Sequence, residues 1–268
     1  MGSVPILLFA LLLASCASPE RDTGEGIHFG VLGDVPYTDG EIERLEGLIG
    51  EMNAEPLAFV VHVGDIGASA RACTDEWLEQ RKAQFARISH PFVLLPGDNE
   101  WSDCRNPMER LAAWRRIFCP SSSALNLMVQ KGEYCEHMRW EAEGWVFVAL
   151  NVPGSNNNLR HAEHAPRMAA VFAWLDEAAA LAQSRKGLVV LMQANPFVTS
   201  PRDGFAPLRE KLRVLAGKTP GRIKLIHGDT HLYRYDEPIP GMNRLEVWGS
   251  PFVGWTRAQL GRDGFSIR

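Results

Sequence analysis

Basic residues are not in excess in this 268-residue chain: Lys and Arg number 28 against 32 Asp and Glu, a formal net charge of −4. A nucleic acid as principal partner therefore lacks its electrostatic footprint, and so does an anionic membrane surface. No Gly-x-Ser-x-Gly turn occurs and no Gly-rich loop closes on Lys-Ser/Thr, which sets aside the serine hydrolases and the P-loop nucleotide binders. Cys-x-x-Cys, the spacing of many metal-binding thiols, is also missing. The apolar run Val4 to Ser15 covers about 18 Å as a helix, short of the roughly 30 Å of a hydrocarbon core. What is present excludes disorder and coiled-coil rods: 46% of residues are hydrophobic and 22% charged,. The length suits one large domain or two small ones with a sizeable core.

The run Val4 to Ser15 reads as the apolar stretch of an export signal. Leu13-Ala14-Ser15-Cys16 resembles the lipobox of bacterial lipoprotein signals, a plain secretory signal being the alternative. That resemblance implies a signal over 1–15, a mature chain from a lipidated Cys16, a short linker over 16–26 and a folded domain over 27–268. With no acidic residue at Ala17, it implies an anchor in the outer membrane, facing the periplasm. Cys73, Cys104, Cys119 and Cys135 remain, an even set open to three connectivities. Cys73 and Cys104 each follow a loop placed at the end of adjacent strands and are expected to pair. Cys119 and Cys135 then close a short loop, a link worth about 3 kcal/mol in the chain-entropy model.

Buried strands are expected at His28–Leu32, Leu57–Val63, Phe92–Leu95, Val146–Leu150, Leu188–Met192 and Ile223–Ile226. Asn106-Pro107-Met108-Glu109 reads as a helix start, with Asn as N-cap, Pro in the first position and Glu reaching back. Arg167–Ser184 reads as an Ala-rich helix with an apolar stripe. The tail, with strands expected at His231–Tyr235, Arg244–Trp248 and Gly254–Gln259, lacks a helix between them. Alternating β and α followed by a meander predicts an α/β domain of two sheets flanked by helices.

Gly-Asp occurs four times, at Gly33-Asp34, Gly64-Asp65, Gly97-Asp98 and Gly228-Asp229, each just after an apolar strand run. One such pair is ordinary turn chemistry. Four pairs at the carboxyl ends of separate strands place four aspartates, with Glu100 nearby, at the sheet edge where α/β folds bind ligands. Two charges 4 Å apart repel by about 4 kcal/mol at an effective dielectric of 20. Such a cluster either stays partly protonated or takes up cations, and a divalent metal is the simpler solution.

The order of these blocks resembles the calcineurin-like metallophosphoesterases, including purple acid phosphatases. The matching blocks are Gly33-Asp34-Val35-Pro36, Gly64-Asp65, Gly97-Asp98-Asn99-Glu100, Gln193 after a strand, and Gly228-Asp229-Thr230-His231. The resemblance spans roughly Ile27 to Ser250 and implies a four-layer α/β/β/α sandwich. It implies Asp34 and His231 as ligands of a first metal and Asp65 as a bridge between two. Pro36, Gln193 and Asp229 stand where the family has His ligands, Asp98 where it has Asn, and Asn99 where a His assists the phosphate. Asp98, Gln193 and Asp229 all offer oxygen, which shifts preference toward Mg²⁺, Mn²⁺ or Ca²⁺, as one or two ions.

The expectation is a divergent phosphoesterase acting on a small phosphorylated substrate, with no nucleic-acid partner. A non-catalytic metal- or ligand-binding module on the same fold is the alternative. Asn99 cannot titrate near neutral pH, so its part would be a hydrogen bond to a phosphate oxygen, and His231 would act as the acid if it does not bind metal. The loop Asn151 to Asn158 follows a strand and offers Asn151, Ser155 and Asn156 as substrate contacts. His62 and His227 precede Gly-Asp pairs and would orient them or simply pack. His161 and His164 read as a solvated helix start. Trp101 and Trp255 would line the pocket rim or pack.

Overall fold

The computed structural model describes residues 26–119, 125–261 and 264–268. The expected signal over 1–15, the lipidation site Cys16 and the linker up to residue 25 lie outside the described residues.

The first part of the chain runs β1 (Ile27–Leu32), α1 (Asp39–Asn53), β2 (Val60–His62), α2 (Ser69–Ala72), α3 (Asp75–Phe85), β3 (Phe92–Leu94) and α4 (Pro107–Phe118). The middle runs β4 (Met128–Val129), β5 (Met138–Ala142), β6 (Trp145–Ala149), α5 (Gly154–Asn157), α6 (His164–Ala182) and β7 (Gly187–Leu191). The last part runs α7 (Ala206–Lys218), β8 (Ile223–His227), β9 (Arg234–Ile239), β10 (Met242–Glu246), β11 (Thr256–Gly261) and β12 (Gly264–Ile267).

These strands form two mixed sheets, ordered β12-β11-β1-β2-β3 and β4-β5-β6-β7-β8-β10-β9. The central strands β1-β2-β3 and β6-β7-β8 are parallel, so their carboxyl ends share one edge of each sheet. Side chains that alternate along each strand separate three apolar layers. In β6, Trp145, Phe147 and Ala149 face a core between the sheets, where Phe29 and Phe59 stack with centroids 5.0 Å apart. Val146 and Val148 point the other way, against Val171, Trp174 and Leu208 of α6 and α7. On the far side, Leu32 and Val60 pack with Leu45, Leu78 and Trp114 of α1, α3 and α4. Helix, sheet, sheet, helix is the expected four-layer architecture.

Helix starts follow local chemistry. Thr38 and Thr74 cap α1 and α3 by accepting the N–H of Glu41 and Trp77,. Asn106 does precede Pro107 at the start of α4, but its amide bonds the Glu109 carboxylate at 3.0 Å rather than capping a backbone N–H. The Ala-rich helix begins earlier than expected, at His164, and ends at Ala182. The tail is not a single meander. β9 and β10 form a hairpin in the seven-stranded sheet, whereas β11 crosses to the other sheet and pairs antiparallel with β1. β9 starts at Arg234 because His231 is held in a left-handed turn, with φ 56°. Both expected disulfides form, Cys73–Cys104 and Cys119–Cys135.

Candidate metal and phosphate site

Every Gly-Asp pair ends a parallel strand or the turn just beyond it, and the pairs interlock. A side chain at Gly97 would meet Asp65 Oδ1 at 1.9 Å, and one at Gly228 would meet Asp34 Oδ2 at 2.2 Å. Each of these glycines clears space for the aspartate of another strand, so the repeated dipeptide encodes mutual close approach as well as a turn. Asp34, Asp65, Asp229 and His231 all have positive φ, at 52°, 57°, 84° and 56°. Left-handed non-glycine residues are costly and cluster at functional sites.

The four aspartates do gather. Both oxygens of Asp34 accept the Asp229 N–H at 3.0 Å. Asp65 Oδ1 accepts the Asn99 N–H at 3.0 Å, while its Oδ2 accepts from the Tyr37 hydroxyl and the Gln193 amide, each at 3.1 Å. A methyl group on Gly154 would meet Asp229 Oδ1 at 2.5 Å and Asp98 Oδ2 at 2.7 Å, so those two carboxylates converge on one point.

Burial followed by the repulsion of neighbouring carboxylates pushes Asp34 and Asp65 well above the usual range. Asp98 rises for the same reasons, Asp103 being its main anionic neighbour. Asp229 is pushed up to about 7, first by burial and then by Asp98. Among the described residues no Lys or Arg pairs with any of the four, and His231 Nε2 lies 4.0 Å from Asp34 Oδ1.

His231 is oriented by Ser250. Its Nδ1 lies 2.6 Å from the Ser250 carbonyl, which only accepts, so Nδ1 carries a proton and donates it there,. Its Nε2 lies 3.3 Å from the Tyr37 hydroxyl oxygen. Tyr37, which the sequence reading passed over, thus sits between Asp65 and His231 and also accepts the Asn99 amide at 2.9 Å. Its one signal was a hydroxyl just past the first strand-end aspartate. Asn195 and Glu246 were also missed: the Asn195 N–H donates to Asp229 Oδ2 at 2.9 Å, and the Asn195 amide reaches buried Glu246.

The expected donors divide on geometry. The carboxylates and His231 are donor types that a divalent cation accepts, and among the described residues no Lys or Arg neutralises the carboxylates,. Gln193 does not suit a ligand role as it stands. Its Oε1 accepts the Gly154 N–H at 2.6 Å, which fixes the amide so that Nε2 faces Asp65,. Among the described residues no three His, Cys, Asp or Glu side chains stand as one closed ligand set. The Tyr37 hydroxyl and the Gln193 amide meet the Asp65 oxygen that a cation would need.

Asn99 is inside the site, half-buried, but its side chain is already engaged with Tyr37 and Ser69. The substrate contacts expected of Asn151 and Asn156 need correction. Asn151 is fully buried and bonds Glu136, and the Asn156 amide ties its loop to Arg202 and Gly204. Both are spent on holding the loop. Ser155 alone is exposed, its hydroxyl 2.6 Å from Asp103.

Supporting residues fix the strand-end loops. His62 accepts the Gly64 N–H on Nδ1 and donates from Nε2 to the Val35 carbonyl, joining the first two Gly-Asp loops. Burial lowers its pKa to about 4, so it stays neutral. Glu100 accepts the N–H groups of Ile66 and Gly97. His227 is packed in the strand, its Nδ1 2.8 Å from the Gly228 carbonyl. Trp101 and Trp255 do not line the pocket: Trp101 is fully buried beneath Arg167, and Trp255 bonds Glu51. His164 is half-buried against Asn157 instead of solvated.

No protein-family model matches the chain, and no curated protein matches it in sequence. Solved structures do match in fold. A dimetal phosphatase from Danio rerio superposes with a TM-score of 0.65 at 13% identity, over 91% of this chain and 96% of that one. Purple acid phosphatase PPD1 from yellow lupin seeds gives 0.56 at 13% identity, over 94% of this chain and 53% of its own. The NAD nucleotidase of Haemophilus influenzae gives 0.52 at 13% identity, over 90% and 49%. The chain thus spans about half the length of the last two. The fold is that of the metallophosphoesterases.

Proposed function

We propose that this chain is a divergent metal-dependent phosphoesterase that hydrolyses the ester of a small phosphorylated substrate. The observation that carries this reading is the burial of Asp34, Asp65 and Asp98 with half-buried Asp229 beside them and, among the described residues, no Lys or Arg paired to any of the four. Asp34, Asp65, Asp98 and Asp229 would hold one or two divalent cations through oxygen, and His231 through Nε2. So oxygen-rich a set favours Mg²⁺, Mn²⁺ or Ca²⁺. A bound cation would lower the pKa of a water molecule and neutralise phosphoryl charge. Around it, the Ser250 carbonyl orients the His231 ring, and Asn99 would exchange its bond to Tyr37 for one to a phosphate oxygen. Export with a lipid on Cys16, in the periplasm and at the outer membrane, is part of the proposal. The two disulfides are what an oxidising compartment favours.

The test is calorimetric titration of chelator-stripped protein with Mn²⁺, followed by hydrolysis of p-nitrophenyl phosphate and bis-p-nitrophenyl phosphate. Saturable binding and turnover, both abolished by Asp65→Ala, are expected. Equal turnover in native and variant protein would contradict the enzymatic reading.

One arrangement favours a non-catalytic binding module instead. Tyr37, Asn99 and Gln193 already satisfy Asp65 with hydrogen bonds, as in a site that needs no metal. No saturable Mn²⁺ binding and no turnover on either ester would favour that reading.

A further inference from the structure

Beside the aspartates lies a cavity of about 600 Å³, within the size range of small-molecule sites,. The two share a wall. The Asp103 N–H donates to the Asp98 carbonyl at 3.0 Å, the Ser155 hydroxyl bonds Asp103, and Gly154 packs on Asp98 and Asp229. The cavity is polar, with Ser102, Ser155 and Ser200 among its lining residues.

Its distinguishing feature is a pair of guanidinium groups without a carboxylate partner among the described residues, although Asp103, held by Ser155, also lines it. Arg160, His161 and Arg202 all line it and all are exposed. Arg167 and Arg209, nearby in sequence, are paired with Glu163 and Asp203. Among the described residues neither Arg160 nor Arg202 meets a carboxylate. The backbone carrying them is fixed: the Asn156 amide bonds the Arg202 carbonyl at 2.7 Å, and the His161 N–H bonds the Asn158 carbonyl at 3.0 Å. A guanidinium matches a phosphate or carboxylate with two parallel hydrogen bonds, so two of them on a fixed frame make an anion-recognition surface.

We propose that this cavity is an anion subsite holding a second phosphate or carboxylate of the substrate, next to the group that is cleaved. The inference rests on the phosphoesterase reading of the adjacent aspartates, and it narrows the substrate class to phosphate esters with a further anionic group. Arg160 and Arg202 hold that group, and the aspartate-rich side holds the ester.

The test is titration of the full chain in chelator with pyrophosphate, which offers only phosphate, and malonate, which offers only carboxylate, and it needs no turnover. Arg160→Ala/Arg202→Ala is expected to weaken binding at least tenfold. Arg160→Lys/Arg202→Lys should retain part of it, and Arg116→Ala/Arg213→Ala, which removes the same charge elsewhere, should not change it. Loss for both probes supports a subsite open to either anion, and loss for pyrophosphate alone supports a phosphate subsite. Equal binding by native protein and the alanine double variant, or no binding by native protein, overturns the proposal. In Mn²⁺ the ratio of kcat/KM for 3-phosphoglycerate to that for p-nitrophenyl phosphate should fall at least tenfold in the same variant. Absence of all turnover would sink the phosphoesterase reading, while the titration in chelator still decides the subsite.

Discussion

Asp229 carries a charge that its surroundings oppose. Its folded-state pKa near 7 stands above the ordinary 3.8, so the folded chain keeps a proton that the unfolded chain releases. Stability is then lost as pH rises from about 4 to 7, because the unfolded state binds fewer protons in that window. Asp229→Asn removes this loss while keeping an oxygen for the Asn195 N–H. In chelator, the variant is expected to be more stable than native protein at pH 8, by on the order of 2 kcal/mol after discounting for partial exposure. At pH 4, where native Asp229 is protonated, the two should coincide, and thermal denaturation at both pH values checks this. Tyr37→Phe tests the neighbouring hydroxyl. Asp65 would lose a buried donor, so the chelated protein should be destabilised by about 1–2 kcal/mol in urea unfolding. Tyr37 escaped the sequence reading because its partners are remote: His231 is 194 residues away and Asn99 is 62. Gln193 was legible as a strand-end residue, but the direction of its amide was not, since Gly154, 39 residues earlier, fixes it.

The loop that enters α6 is held by one buried cation. Arg167, 1% exposed, donates to the Asn151 carbonyl at 3.0 Å, to the Asn157 side chain at 2.8 Å and to the Asn157 carbonyl at 2.9 Å, besides pairing with Glu163. These bonds brace Ser155 to Asn158, four consecutive residues with positive φ. Arg167→Met should cost about 3 kcal/mol and should raise amide hydrogen exchange across 154–158. On the other wall, the Cys73–Cys104 sulfurs lie 3.8 and 3.5 Å from the Asn99 carbonyl, so this disulfide backs the loop that carries Asp98. Replacing both cysteines with serine should lower stability by about 2–4 kcal/mol, read by denaturant unfolding. The elements themselves were largely legible. Apolar runs of Val, Ile and Leu marked β1, β6, β7 and β8, because a parallel strand buried on both faces reads that way. β4 and β5 were not marked, since neither the exposed pair Met128-Val129 nor the mixed run Met138–Ala142 carries a continuous apolar signal.

At the scale of the whole molecule, the two sheets bring aspartates that lie far apart in the chain to one edge. That gathering was readable from four repeated dipeptides because each closes a buried parallel strand. The crossover of β11 to the first sheet was not, because pairing between Ile27 and Leu260 leaves no local trace. If the gathered carboxylates take up a cation, that cation should stabilise the folded chain. The most direct measurement is the thermal midpoint of chelator-stripped protein at pH 8 with rising Mn²⁺. A ligand that binds only the folded state adds about 2.7 kcal/mol at one hundred times its Kd. The midpoint of native protein should climb with Mn²⁺ concentration, and that of Asp65→Asn should stay flat. A native midpoint unmoved up to millimolar Mn²⁺ would contradict uptake of the cation.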